Sequence, residues 1–142
     1  MVTPGLANRI SRLKTATERL RKYTSKPLEK LREEDILPAL EREIQVTIQA
    51  LLDVGEHIVA ESGWQAPQSY RDLARILAQH GVIGIKEAEI LAQLAGLRNI
   101  LVHIYAEIDE EKIYNFAKTL VKDAETLAKK MLQYMEKAGI DP

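Results

Sequence analysis

Apolar residues recur at intervals of three and four along nearly all of this 142-residue chain, a rhythm that admits helix and little else. Leu6, Ile10, Leu13, Thr17 and Leu20 mark a first helix, expected to end before Ser25-Lys26-Pro27. Glu29 to Glu34 reads as a charged linker. Asp35 is placed to cap a long second helix, with Pro38 in the first turn, where a backbone N–H has no intrahelical acceptor to lose. Its stripe is Leu37, Leu40, Ile44, Ile48, Leu51, Val54 and Ile58, and Ser62-Gly63 stops it. After a loop from Trp64 to Gln68, Ser69 with Asp72 reads as the N-cap of a short third helix carrying Leu73, Ile76 and Leu77. His80-Gly81 is its stop signal. Gly84 precedes a fourth helix with Ile90, Leu94, Leu97, Leu101 and Ile104. Asp109 is expected to cap a fifth, with Ile108 and Ile113 as a staple and Glu110 and Glu111 at the positive end of its dipole. Ile113, Phe116, Leu120, Leu127, Met131 and Tyr134 form its core face. No alternating strand pattern, low-complexity tract or repeat competes. The predicted fold is all-α, an up-and-down bundle of about five helices in a single domain over residues 1–142.

Composition narrows the function classes. Apolar residues at 46% and charged residues at 29% give the balance of a folded soluble domain. No cysteine is present, so disulfides and thiolate metal sites are excluded. Neither a signal peptide nor a membrane span is visible, and a cytoplasmic location with no membrane partner is expected. Charge is uneven: residues 1–32 carry +7 and the remainder −8. The basic first helix reads either as a phosphate-facing surface or as a solvated face balanced by the acidic remainder.

The stretch that carries chemistry is Arg98-Asn99-Ile100-Leu101-Val102-His103-Ile104-Tyr105. A guanidinium supplies permanent charge for a phosphate, and an imidazole moves protons near neutral pH. At about 100° per residue, with the core stripe taken as Leu97, Leu101 and Ile104, Arg98, Asn99, His103 and Tyr105 fall on the opposite face. That face also holds Ala92, Ala95 and Val102, too apolar to be left in water. Ala39, Glu43, Val46, Ala50, Asp53 and His57 make a similar mixed face on the second helix, and two such faces suit an isologous homodimer. Arg98 and His103 diverge by about 140° on one ideal helix, so either the helix loosens or the two residues converge from two chains. A composite site at the two-fold seam is the favoured arrangement. The bland alternative is a helix end with Arg98 paired to an acidic neighbour and His103 satisfied by a carbonyl.

In spacing and composition this stretch resembles the R-x4-H-x-Y signature of the HEPN toxins, the HepT-like ribonucleases paired with a minimal nucleotidyltransferase antitoxin. Leu94-Ala95-Gly96-Leu97 before it and Ala106-Glu107-Ile108-Asp109 after it resemble the same family. The resemblance implies a HEPN-like homodimeric bundle and a metal-independent endoribonuclease acting on RNA. It assigns catalysis to Arg98 and His103, with Asn99 in support. It also implies that Tyr105 is the residue the nucleotidyltransferase antitoxin AMPylates. No cofactor is expected. The chain lacks the Gly-Ser and paired aspartates of a nucleotidyltransferase, so that activity belongs to a partner.

Remaining candidates are weaker. Asp53 and His57, four apart, could be an acid–base pair but read better as a surface or interface hydrogen bond. Three histidines on three helices form no zinc cluster, and Gly81-Val82-Ile83-Gly84 lacks the lysine of a phosphate loop. Two other function classes stay open. One is a non-catalytic helical module that binds nucleotide or presents Tyr105 to a nucleotidyltransferase, and the other is a helical adaptor whose Arg98 and His103 are structural.

Overall fold

A computed structural model describes the backbone over residues 4–103 and 110–141, and side chains over 9–98 and 110–141. Six helices occupy these residues: α1 (Pro4–Thr24), α2 (Leu28–Glu33), α3 (Leu37–Ser62), α4 (Tyr70–Gln79), α5 (Ile85–His103) and α6 (Glu110–Ala138). No strand occurs among the described residues. α3 is the hub, packing against α1, α4, α5 and α6, while α1 also meets α6 and α4 meets α5.

The expected charged linker is a helix. Pro27, with extended backbone, opens α2, and Leu31 turns fully inward from it. One buried leucine gives this short charged segment a reason to fold. Tyr114 on α6 fixes the approach by donating its hydroxyl to the carbonyls of Thr24 and Lys26.

Asp35 does not cap α3. It sits at φ 54° in the left-handed region and ends α2 instead. The Ile36 N–H reaches the Leu31 carbonyl at 2.9 Å and the Asp35 N–H reaches the Arg32 carbonyl at 3.2 Å, the two bonds of a Schellman closure. α3 follows immediately, with Ile36 at its cap position and Pro38 in its first turn as expected. Gly63 and Gly81 close α3 and α4 by the same pair of bonds. Ser69 caps α4 as anticipated, its hydroxyl accepting from the Asp72 N–H at 3.0 Å. Asp109 and Ile108 lie outside the described residues; α6 begins with Glu110 and Glu111 in its first turn.

The mixed face of α3, expected to meet a second copy, is covered only in part from within the chain: Val46, Asp53 and His57 are half-buried and Ala39 is exposed. Ala50 and Glu43 are buried, and Glu43 accepts a hydrogen bond from Arg19 of α1 at 3.1 Å. α1 thus takes up part of a face that the sequence pattern leaves wholly outside the core.

Truncating Leu31 tests whether α2 is docked. Leu31→Ala should cost about 2–5 kcal/mol in urea unfolding, as fully buried leucines do. A change below about 0.5 kcal/mol would place this segment outside the core.

Candidate active site

α5 begins firmly. The Gly84 N–H donates to Glu87 Oε1 at 3.2 Å, and Lys130 of α6 pairs with the same carboxylate. Both contacts hold the Glu87 carboxyl below its usual range. Trp64 stacks on His80 with centroids 3.7 Å apart, and His80 Nδ1 lies 3.0 Å from the Ile76 carbonyl. His80 therefore closes α4, as its place before Gly81 implied.

Along α5 the buried side chains are Ala88, Leu91, Leu94 and Ala95, with Leu97 only half-buried. Taking Arg98 as zero, helical geometry puts those four at about 80°, 20°, −40° and 60°. Arg98 therefore lies within the buried arc, and the expectation that it faces away from the core is wrong. The apolar residues of α5 run almost round its circumference, so a stripe chosen from leucines and isoleucines alone misplaces the inward side.

Facing inward, half-buried Arg98 reaches two helices. Its Nη1 donates to Oε1 of Gln49 on α3. Its guanidinium carbon stands 5.2 Å from the ring centroid of Tyr70, the first residue of α4, within cation–π range. Gln49 is itself oriented: its Nε2 donates to Asp53 Oδ1, one turn along α3, at 2.8 Å. That bond turns the amide oxygen toward the arginine. The expected Asp53–His57 hydrogen bond is replaced by this one, and among the described residues His57 Nε2 is enclosed with no hydrogen-bond partner. Nearby Glu56 is held above the ordinary carboxyl range by burial and by the Asp53 charge, with Arg9 of α1 pulling it partly back.

α5 stays helical through His103, so Asn99 and His103 are carried on the same helix as Arg98. The side chains of Asn99 and His103, and Tyr105 altogether, lie outside the described residues. Gln49 and Tyr70 were not anticipated. The four-residue spacing of Gln49 and Asp53 was a usable signal; nothing local to Tyr70 was.

A cleft of about 550 Å³ adjoins this cluster, lined by Glu56, Trp64, Pro67 and Tyr70 among others. Tyr70 belongs to both, so the ring that flanks the guanidinium also forms one wall of the cleft. No described helix is long and apolar enough to cross a membrane.

Comparison with known proteins follows the same lines. A family model described as Ribonuclease HepT-like matches residues 13–131. An mRNA nuclease HepT of Shewanella oneidensis is 32% identical over 82 residues, covering 58% of this chain and 62% of that protein. The chain thus aligns with less than two thirds of that relative's length. Among solved structures, a tri-AMPylated Shewanella oneidensis HEPN toxin in complex with an MNT antitoxin superposes with TM-score 0.79 at 22% identity, over 93% of this chain and 99% of that one. A cytosolic protein of unknown function, YutE of Bacillus subtilis, superposes with TM-score 0.73 at 22% identity, over 96% and 94%. The six helices and the inward-held arginine therefore stand in a recognised setting: this chain belongs to the HepT-like ribonuclease family.

Proposed function

We propose that this protein is the toxin of a HEPN–nucleotidyltransferase pair, a homodimeric endoribonuclease that cleaves RNA without a metal ion. The observation that carries the reading is Arg98, a guanidinium held at the edge of the core by Gln49 and Tyr70, in a chain that belongs to the HepT-like ribonucleases. Such a cation binds the non-bridging oxygens of a phosphodiester and offsets charge that develops on the phosphorane. His103, five residues along the same helix, supplies the proton transfers.

A neutral imidazole takes the proton of an RNA 2′-hydroxyl. The 2′-oxygen then bonds to phosphorus, the bond from phosphorus to the 5′-oxygen breaks, and an imidazolium returns a proton to that leaving oxygen. The products are a 2′,3′-cyclic phosphate and a 5′-hydroxyl. Asn99 orients the imidazole or the ribose. With α5 helical throughout, positions 98 and 103 stand about 140° apart round its axis, which favours a site assembled from two chains.

RNA incubated with unmodified protein in EDTA should be cut, and an oligonucleotide with deoxyribose at the scissile position should not. Arg98→Ala and His103→Ala should each lower the rate by about 10²-fold or more with the dimer retained. Cleavage of the all-DNA analogue, or a requirement for added magnesium, contradicts the reading.

Control falls to Tyr105. The partner nucleotidyltransferase directs the Tyr105 phenol oxygen onto the α-phosphate of ATP; a phosphodiester forms, pyrophosphate leaves, and the phenol proton passes to solvent. Each added AMP brings one negative charge toward the arginine that RNA needs. The solved complex of an AMPylated HEPN toxin with an MNT antitoxin supports this partner and this modification. Tyr105→Phe should cut RNA normally and resist neutralisation by the partner, and intact-mass measurement should show AMP-sized increments on wild type alone. Increments that persist in Tyr105→Phe would move the modification to another residue.

A further inference from the structure

Tyr70 takes part in two arrangements at once. The Arg98 guanidinium stands 5.2 Å from its ring centroid, and the same residue lines the cleft of about 550 Å³ that the cleavage chemistry leaves without a role. Trp64 lines that cleft too. His80 lies nearly parallel against the indole at 3.7 Å and is itself held at the Ile76 carbonyl, so the tryptophan is fixed before any ligand arrives. Pro67 adds another rigid ring, while Ala60 and Ala66, with single-methyl side chains, keep the space open. Polar groups are few: the Glu56 carboxyl can accept a hydrogen bond, and the Gln68 amide can donate and accept. Aromatic walls around a gap with a small number of polar groups suit a flat heteroaromatic ligand. An unstacked nucleobase is such a ligand, and proteins that recognise single-stranded RNA stack splayed-out bases on aromatic side chains.

We propose that this cleft receives an unpaired nucleobase of the RNA substrate, from a nucleotide flanking the scissile phosphate, with Trp64 and Tyr70 as its stacking surfaces. The identity of the ligand rests on the ribonuclease reading, but the cleft itself is a property of the folded chain. Placement favours a base over other flat ligands. The phosphate and base of a nucleotide are joined through a single ribose, so a base site has to adjoin the phosphate site, and Tyr70 makes the two contiguous. A base held here has left its own helix, which is cheapest for a nucleotide that is already single-stranded. Stacking accepts any base, so the cleft selects first for an unpaired nucleotide. Glu56 and Gln68 then distinguish among bases by the edge each presents.

Removing Tyr70 would also disturb Arg98, so filling the cleft is the cleaner test. Ala60 and Ala66 are exposed and line it from α3 and from the loop. Ala60→Leu and Ala66→Leu should therefore occupy the space and melt as wild type does. kcat/KM should be measured on a single-stranded RNA and on copies with one abasic nucleotide at each position beside the cut. For wild type, one abasic position should lower kcat/KM about tenfold or more. Each leucine variant should lose a similar factor on the intact RNA and lose nothing further on that abasic copy, because both changes remove the same interaction. Folded leucine variants that cleave intact RNA within about twofold of wild type would overturn the proposal. So would a scan in which no abasic position costs wild type more than about twofold.

A second readout separates failure of this inference from failure of the ribonuclease reading. Trp64 is the chain's only tryptophan, so its emission reports on the cleft without an added label. Wild type should be titrated with a single-stranded oligonucleotide carrying deoxyribose throughout, and with a sugar–phosphate backbone of the same length that has no bases. The first should quench Trp64 and the second should not, and Ala60→Leu should abolish the difference. Wild type that cuts no RNA but shows base-dependent quenching removes the ribonuclease reading and keeps the nucleobase cleft. Equal responses to the two oligomers in wild type, or a difference that persists in Ala60→Leu, would overturn the cleft whatever the activity.

Discussion

α3 must be buried on several sides at once, and that constraint organises everything else. Leu40, Ile44, Ile48, Leu51, Leu52 and Ile58 are completely enclosed, and Ala50, Val54 and Val59 nearly so. These residues spread over more than half the circumference of the helix, which lets α1, α4, α5 and α6 all pack on it. Burial of this kind is the dominant favourable contribution to folding, at about 25 cal/mol for each Å² of apolar surface removed from water. What remains for polar residues is a narrow stripe that includes Gln49, Asp53 and Glu56. Arg98 is tethered at that stripe.

The tether has an electrostatic consequence. A desolvated cation without hydrogen-bond partners is costly, and α3 supplies one of those partners. Here the nearest α3 partner is an amide, with a carboxylate one step further back. Carboxylates do crowd the outer part of the stripe, and Glu56 is pushed toward its protonated form by burial and by Asp53. Basic residues of α1 lie alongside, with Arg9 near enough to bias Glu56 and Arg19 paired to Glu43. Arg19 with Glu43 and Arg21 with Glu125 are pairs of the kind expected where a basic first helix is balanced by the acidic remainder.

Helix periods and stop signals were legible because they are local. The end of α1 before Pro27, the Ser69 cap and the closures at Gly63 and Gly81 each depend on a few neighbouring residues and on backbone geometry that only certain side chains adopt easily. α2 was missed because two leucines three apart, Leu28 and Leu31, are too short a pattern among charges to declare a helix; both pack against the core made by the other helices. Asp35 was assigned to the wrong helix for a related reason, since aspartate serves both as an N-cap and as a tolerated left-handed residue. In the candidate site, the residue types at 98, 99, 103 and 105 were legible as phosphate chemistry and as a family signature. The inward direction of Arg98 was not. α5 is apolar nearly all round, so its orientation is decided by what α3 and α4 offer, which no pattern within α5 encodes.

Arg98 facing inward sharpens the question of how His103, about 140° further round α5, reaches the same phosphate. A composite site answers it by taking the arginine of one protomer and the histidine of the other. The direct measurement is RNA cleavage by purified heterodimers that join an Arg98→Ala chain to a His103→Ala chain, each chain carrying a different affinity tag. One of the two sites in such a heterodimer keeps both residues, so activity should return to about half that of wild type from two inactive parents. Heterodimers as inactive as either parent would show that each chain carries its own complete pair, and would contradict a site shared across the seam.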